Sequence, residues 1–170
     1  MAAAQTYQPV DSLSSIKFSI RNFGINTEGV LKGLHGSILF DPANPASSSF
    51  SVVVDPASVN TKVNARDNHL RKEEYLDVQQ YPKISFISDK VNAVPGTGEY
   101  SMHGTLTIKG VSKDLIILFK AITEKEGIWF TGTCKLNRRD FKVGSGSMVL
   151  ADNLAVNLHV FARKLDHSNR

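Results

Sequence analysis

The sequence predicts an all-β fold of about eight antiparallel strands, interrupted once by a short helical segment. Apolar residues alternate with polar ones over most of the chain, which is typical of strands with one buried face. Gly, Pro and Asn separate the alternating segments, and helices do not alternate with them. Strands in this arrangement form either a closed barrel or a sandwich. At 170 residues, the chain is expected to form one domain spanning residues 1–170.

Eight segments carry the alternation, and the apolar residues of each define the face that we expect to point inward. In chain order these residues are Ile16, Phe18 and Ile20; Leu34, Gly36, Ile38 and Phe40; Phe50, Val52 and Val54; Ile84 and Phe86; Tyr100, Met102, Gly104, Leu106 and Ile108; Leu115, Ile117 and Phe119; Ile128, Phe130, Gly132, Cys134 and Leu136; and Leu154, Val156, Leu158, Val160 and Ala162. Asp41-Pro42 and Asp55-Pro56 are expected to end the second and third strands, because proline donates no ladder hydrogen bond.

The segment 58–81, between the third and fourth strands, lacks the alternation and is rich in charged residues. Asn60 or Thr61 is a candidate cap for a short helix through residues 65–70. A connection this long inside a small β domain usually has a function or covers an opening. We therefore predict a helical flap over one end of the fold.

The composition argues against several classes of protein. Hydrophobic residues make up 41% and charged residues 21% of the chain, as in folded proteins, and the apolar runs are too short to span a bilayer. A net charge of +4, with scattered basic residues, gives little support to nucleic-acid binding. Cys134 is the single cysteine, so it cannot form an internal disulfide, and we interpret it as a buried thiol.

No motif for catalysis or for a cofactor stands out in the sequence. The histidines have no second histidine, cysteine or carboxylate at a strong metal-ligand spacing. A phosphate-binding glycine loop, a dinucleotide fingerprint and a serine-hydrolase elbow are also missing. We therefore predict no catalytic residue, no metal site and no cofactor.

The inward faces are apolar, and a barrel of about eight strands either fills with side chains or holds one small ligand. Gly36, Gly104 and Gly132 fall on the inward register. Two interpretations stay open: the missing side chains leave a channel, or the glycines mark bends and bulges. On the first interpretation, Gly104→Phe or Gly132→Phe would obstruct the channel and leave the fold intact.

The flap contains the richest polar cluster of the chain. Arg66 and His69 share a helical face, and together they could meet the polar head of an apolar ligand at the mouth of the barrel. The alternative is structural, with Arg66 in an ion-pair network with Asp67, Glu73 or Glu74.

The outward faces carry apolar residues on three consecutive strands. Ile116, Leu118, Trp129 and Phe161 lie on the register opposite to the inward faces. Such patches often mark partner surfaces, so we predict a homodimer through these residues. The alternative is that a terminal segment or the flap covers them.

Five stretches of the sequence together resemble a known family. These are Ser15–Arg21, Gly36–Pro42, Arg66–Leu70, Tyr81–Phe86 and Gly104–Lys113. In their order and spacing, the sequence resembles the YceI-like family of lipocalin-like, polyisoprenoid-binding proteins over nearly the whole chain. It departs from the usual pattern at Ser14 and Asn22, where histidines are common, and at Leu34, where an aromatic residue is common.

The resemblance implies an extended eight-stranded antiparallel, lipocalin-like barrel, often dimeric, with a short helical flap between strands 3 and 4 and a long isoprenoid or fatty chain in its lumen. Many members are exported to the periplasm, and the cleavage-like start Ala4-Gln5 fits this. The expected location is therefore periplasmic or secreted, with a cytoplasmic one as the alternative. The predicted ligand-binding residues are Phe18, Ile20, Gly36, Arg66, His69, Phe86, Gly104, Leu106, Ile117, Phe119, Phe130 and Gly132.

The leading functional hypothesis is binding, sequestration or transport of a polyisoprenoid, an isoprenoid quinone or a fatty-acid derivative. Burial of apolar groups contributes about 0.8 kcal/mol per methylene, which is ample for a long chain. One alternative is a stress-response or surface interaction protein without a bound lipid. A lipid-modifying enzyme that uses Arg66, Asp67 and His69 is a third hypothesis.

Overall fold

The computed structural model describes residues 4–166, and within them a single antiparallel sheet of nine strands closes on itself. The strands are β1 (Gln5–Pro9), β2 (Ser15–Asn22), β3 (Ile25–Phe40), β4 (Ser49–Asn60), β5 (Ile84–Val94), β6 (Glu99–Ile108), β7 (Val111–Thr123), β8 (Gly127–Asn137) and β9 (Leu150–Lys164). The helix α1 covers Asn64–Leu70, and short 3-10 turns cover Asp11–Leu13, Pro45–Ser47 and Arg138–Phe141. Among the described residues, no helix has the length and apolar character needed to cross a membrane.

Strands β2 to β9 pair with their neighbours in chain order, and β9 pairs with β2 to close an eight-stranded barrel. The predicted barrel is confirmed, and the sandwich is excluded. The additional strand β1 was missed. It lies between the far ends of β3 and β9, where Tyr7 pairs with Ile38 on one side and Lys164 on the other. Five residues with one large apolar side chain carry too little alternation to be recognised as a strand.

In the β3–β4 pair, two predicted strand boundaries are wrong. Strand β3 begins at Ile25 rather than at Leu34, and β4 continues through Pro56 to Asn60. The β3–β4 register shifts in this region, and the Lys32 amide donates to the Ser58 hydroxyl (2.7 Å) instead of to a backbone carbonyl. Pro56 is tolerated because it lies in this bulged stretch, where no regular ladder bond is lost.

The flap forms where the sequence places it, between the third and fourth barrel strands, but its helix begins later than predicted. Val63 precedes the first turn and makes no side-chain cap. Thr61 is instead connected to the helix through Asp67, whose carboxylate accepts hydrogen bonds from the Thr61 amide (2.8 Å) and hydroxyl (2.6 Å). The buried Asp67 thereby ties the helix to the end of β4.

The end of the barrel opposite the flap is closed by a group of aromatic side chains, called here the aromatic plug. Its ring centroids lie 5.2 to 6.3 Å apart, mostly in edge-to-face contact. Phe40 is the central ring and is 1% exposed. The members of the plug are Phe40, Phe50, Tyr100, Phe119 and Phe130. The lumen therefore ends at these rings.

Candidate ligand-binding lumen

A cavity of about 300 Å3 lies inside the barrel between the aromatic plug and the flap. This volume is at the lower end of the range of small-molecule sites. The inward side chains of β2 and β9, such as Phe18, Ile20, Val156 and Leu158, line the cavity and are only half-buried. They border open space rather than packed side chains, so the barrel has a wall without a fully packed centre.

Most of the wall is apolar, and its polar residues lie at the flap end. Asn22 ends β2, Thr27 lies near the start of β3, and Thr61 follows β4. Arg66 comes from α1, and Arg138 follows β8. The wall therefore suits a ligand with a long apolar part directed toward the plug and a polar group near the flap.

The structure brings nine of the twelve residues predicted to bind ligand to the cavity wall. These nine are Phe18, Ile20, Arg66, Phe86, Leu106, Ile117, Phe119, Phe130 and Gly132. Gly36, His69 and Gly104 are not part of the wall. The His69 side chain lies at the exposed surface of the flap, with its ring centroid 4.9 Å from that of Tyr75. Ligand contact by any of the twelve predicted residues stays a prediction.

The inward glycines serve the close approach of strands. A Cβ atom on Gly104 would lie 2.5 Å from both the Ile87 carbonyl oxygen and the Phe86 ring, so that ring already occupies the missing side chain's place. A Cβ on Gly36 would strike the Ser51 carbonyl, and one on Gly132 would lie 2.9 Å from the Leu118 carbonyl oxygen. The expectation that phenylalanine at 104 or 132 would leave the fold intact is therefore wrong, since backbone would have to move.

Cys134 lies on the cavity wall and is half-buried. Burial raises the pKa of its thiol to about 11, because the apolar surroundings disfavour the thiolate. The thiol is therefore protonated at neutral pH, and it acts as part of the apolar wall rather than as a nucleophile. The sequence predicts a buried thiol, whereas the structure shows one that is half-buried.

Arg66 is the cation of the flap that faces the cavity. Its Nε atom donates to the Thr61 hydroxyl (2.8 Å), and one Nη atom donates to the Thr61 carbonyl (2.9 Å). In the described part of the chain, these are its hydrogen bonds, and its guanidinium makes no ion pair with Asp67, Glu73 or Glu74. The predicted ion-pair network is thus wrong. A guanidinium has five N–H donors, so three of them can meet a ligand.

Arg138 is a second cation on the wall, and the sequence reasoning missed its role. It donates to the carbonyls of Val143 and Ser145 (both 2.9 Å), Ala151 (2.8 Å) and Leu150 (3.3 Å), and to the Asp152 carboxylate (3.3 Å). All five donors are used, so this arginine holds the 138–150 loop. The signal was present in the sequence, because a period of two from Leu136 puts position 138 on the inward face.

Two departures from the family pattern have different surroundings. Ser14 is buried, donates to the Val10 carbonyl (2.6 Å) and accepts from the Phe161 amide (3.1 Å). It is a structural tie between the first turn and β9. Asn22 lines the cavity at the flap end, so it can contribute to the polarity of the mouth.

One residue of the predicted dimer patch is not exposed on the outer face of the barrel. Phe161 is 6% exposed, and the segment from Val10 to Ser14 is hydrogen-bonded to its backbone amide and carbonyl. Ile116 and Leu118 are exposed, as expected, and the equally exposed Ile122 on the same face of β7 was missed. The available apolar surface therefore lies on β7, beside the half-buried Trp129 of β8.

Within residues 4–166, no group of three histidine, cysteine or carboxylate side chains could hold a metal ion. His103 is paired on the outer surface with Asp89, at 2.6 Å between Nδ1 and the carboxylate. That hydrogen bond raises the pKa of His103 above its usual value, and the pair lies away from the lumen.

The chain resembles known proteins in sequence. A model of the YceI-like domain matches residues 7–162. The UPF0312 protein of Ectopseudomonas mendocina is 33% identical over 150 residues, covering 84% of this chain and 78% of that protein. The UPF0312 protein VC0395_0473/VC395_A0785 of Vibrio cholerae is 30% identical over 154 residues, covering 86% of this chain and 80% of that protein.

Solved structures show the same fold. The YCEI protein of Campylobacter jejuni superposes with a TM-score of 0.75 at 32% identity, over 84% of this chain and 87% of that one. BcnA of Burkholderia cenocepacia superposes with a TM-score of 0.85 at 24% identity, over 90% of this chain and 98% of that one. A polyisoprenoid binding domain from Saccharophagus degradans, implicated in plant cell wall breakdown, superposes with a TM-score of 0.72 at 14% identity, over 95% of this chain and 99% of that one.

Proposed function

Since this chain belongs to the YceI-like domain family, we propose that it binds a long apolar lipid in its lumen and sequesters or carries it. The observation that carries the proposal is the apolar cavity itself, closed at one end by the aromatic plug and bordered by polar groups at the other. The ligand class is a polyisoprenoid, an isoprenoid quinone or a fatty-acid derivative. The structural neighbour described as a polyisoprenoid binding domain supports this class through its fold.

The proposed orientation places the apolar tail toward the plug and the polar head at Arg66. This follows from the unequal use of the two arginines on the wall. Arg138 uses all five of its donors in hydrogen bonds within the protein, whereas Arg66 uses two, both to Thr61. An anionic or strongly accepting head group fits the remaining donors of Arg66. A carrier role without catalysis is part of the proposal, because among residues 4–166 the wall offers no paired acid and base beside a nucleophile.

The lumen is tested by the variant Val156→Phe, with Asn157→Phe as the matched control. Val156 lines the cavity, whereas Asn157 is the next residue on β9 and points to solvent. The new ring displaces about three methylene groups of a bound chain, each contributing about 0.8 kcal/mol, so affinity should fall about 50-fold. Titrations with palmitate and with geranylgeraniol, checked by native mass spectrometry, measure this. Equal affinity in both variants would show that lipid binds elsewhere.

The head-group role is tested by Arg66→Gln, with Arg71→Gln as the control in the same flap. Arg71 donates to the carbonyls of Ala57 and Val59 and is structural. A hydrogen bond to a charged group contributes about 1.5–3 kcal/mol, so Arg66→Gln should weaken binding of palmitate about 10- to 100-fold. Binding of hexadecanol, which has the same chain and no charge, should change little. The same loss for both ligands would contradict the head-group role.

For assembly, we propose a homodimer through the exposed outer face of β7, with Ile116 and Leu118 at its centre. Ile122 and Trp129 extend this surface, and the buried Phe161 does not. The double variant Ile116→Glu/Leu118→Glu is expected to be a folded monomer, because two charges cannot be buried in an apolar interface without partners. Light scattering gives the mass of each form. A monomeric unmodified chain at high concentration would remove the basis of this proposal.

A further inference from the structure

Two loops at the flap end present exposed apolar side chains together. Phe23 of the β2–β3 turn and Ile25 at the start of β3 are 71% and 68% exposed, and Met148 and Val149 of the 142–149 loop are 103% and 41% exposed. These four residues are called here the rim tip. Large apolar side chains that protrude singly need no explanation, but four at the ends of two adjacent loops form a distinct feature.

The two loops form one ordered unit. The Phe23 amide donates to the Val149 carbonyl (2.8 Å), and Asn22 pairs with Leu150 in the sheet. The Ser147 hydroxyl accepts hydrogen bonds from the amides of Val149 (3.1 Å) and Leu150 (3.0 Å), which holds Met148 at the apex. The exposed side chains are therefore displayed by fixed backbone.

Phe23 occupies a backbone position that disfavours it. Phe23 and Gly24 form a two-residue turn with φ of 54° and 74°. Both positions of such a turn favour Asn, Asp or Gly, and a bulky residue there is strained. Because Phe23 is exposed, packing does not compensate for this strain. Local strain without a structural benefit points to a functional role.

The rim tip borders the polar end of the lumen, since Asn22, Thr27 and Leu150 line the cavity next to it. We propose that the rim tip inserts into the interface of an anionic phospholipid bilayer and sets the lumen against the membrane. This rests on the proposed function, because a long apolar ligand is stored in membranes and crosses water poorly. A peripheral docking of this kind would let the apolar ligand pass between bilayer and lumen with little exposure to water.

Area and charge favour a bilayer over a protein as the occupant. A specific protein interface buries about 800 Å2 and about 20–30 residues per partner, which four side chains on two narrow loops do not supply. The charge beside the loops suits lipid phosphates, since Arg21 borders the cleft formed by Met148 and Val149. The acidic Asp152 of that cleft already lies within 4.0 Å of both Arg138 and Arg139.

The test is flotation of the full chain with vesicles of phosphatidylglycerol and phosphatidylcholine in equal parts. The variant is Phe23→Asn/Met148→Ser, in which asparagine suits the turn, so folding is not impaired. We expect its partition onto vesicles to fall at least about 30-fold, because two large apolar side chains are lost from the interface. Arg21→Gln should lower partition about fivefold on these vesicles and leave it unchanged on phosphatidylcholine alone.

The control Leu13→Ser/Ile87→Ser removes two other exposed apolar side chains (51% and 56% exposed) that are distant from the rim tip, and it should float like the unmodified chain. Lumen affinity for soluble palmitate, measured in parallel, should stay within about threefold in the rim-tip variant, which separates this inference from the proposed function. Failure of the unmodified chain to float, equal partition of the rim-tip variant, or conversion of a dimer to a monomer by that variant would overturn the inference. Flotation without palmitate binding would support it and refute the lumen role instead.

Discussion

Arg138→Met is expected to lower the free energy of unfolding by about 3–5 kcal/mol, because it breaks a buried network and leaves the acceptors behind. The side chain of Arg138 is 4% exposed, and its five hydrogen bonds connect the end of β8 to the start of β9. Methionine fills a similar volume but donates nothing. The carbonyls of Val143 and Ser145 then lose their Arg138 hydrogen bonds.

Urea unfolding followed by circular dichroism measures this loss, and the neighbouring Arg139→Met is the control. Arg139 is half-exposed and lies 4.0 Å from Asp152, so its loss should cost at most about 1 kcal/mol. Arg138→Lys keeps the charge but has fewer donors, and it should fall between the two. If the two methionine variants are equally stable, the loop is not held by Arg138. Because Met148 and Val149 of the rim tip belong to the same loop, a weakened Arg138 network should also weaken flotation with vesicles.

Phe40→Ala is expected to cost about 3–5 kcal/mol and to lengthen the lumen. Phe40 is buried at the centre of the aromatic plug, where its ring contacts Phe50, Tyr100, Phe119 and Phe130. Removing the ring leaves a space continuous with the cavity, so the variant should favour longer fatty acids than the unmodified chain does. Affinities for a series of chain lengths measure the second effect.

The control for this variant is Phe23→Ala, which removes the same side chain from an exposed turn. Its stability should change by no more than about 0.5 kcal/mol, because the ring of Phe23 packs against little. A Phe40→Ala variant that loses stability without changing its preference for chain length would show that the plug collapses into the space. Such a result would mean that Phe40 contributes to packing but does not set the length of ligand that the lumen accepts.

Much of the fold follows from local pattern. The alternation from Ile16 to Ala162 predicts the eight barrel strands and their inward faces, because a period of two is set by strand geometry and does not depend on the partner strand. The charged segment between β4 and β5 predicts the flap, since it lacks that period. Eight of the predicted ligand-binding residues reach the cavity wall because of this strand alternation, and the ninth, Arg66, reaches it from α1.

The remaining features depend on contacts between distant segments. The short strand β1 has two partners that are far away in sequence, so its own five residues do not identify it. Pro56 is accommodated by a bulge that only the register between β3 and β4 creates. Gly104 is covered by the ring of Phe86 from the neighbouring strand. None of these contacts is encoded within a single window of sequence.

The sequence by itself determined the fold class, the inward and outward faces, the position of the flap and the membership of the family. Only the tertiary structure decided that the lumen is plugged at one end and polar at the other, that Phe161 is covered, and that Arg66 keeps free donors where Arg138 does not. The physical reason is that alternation is a property of one strand. Closure, burial and the satisfaction of a guanidinium depend on how separate strands and loops meet.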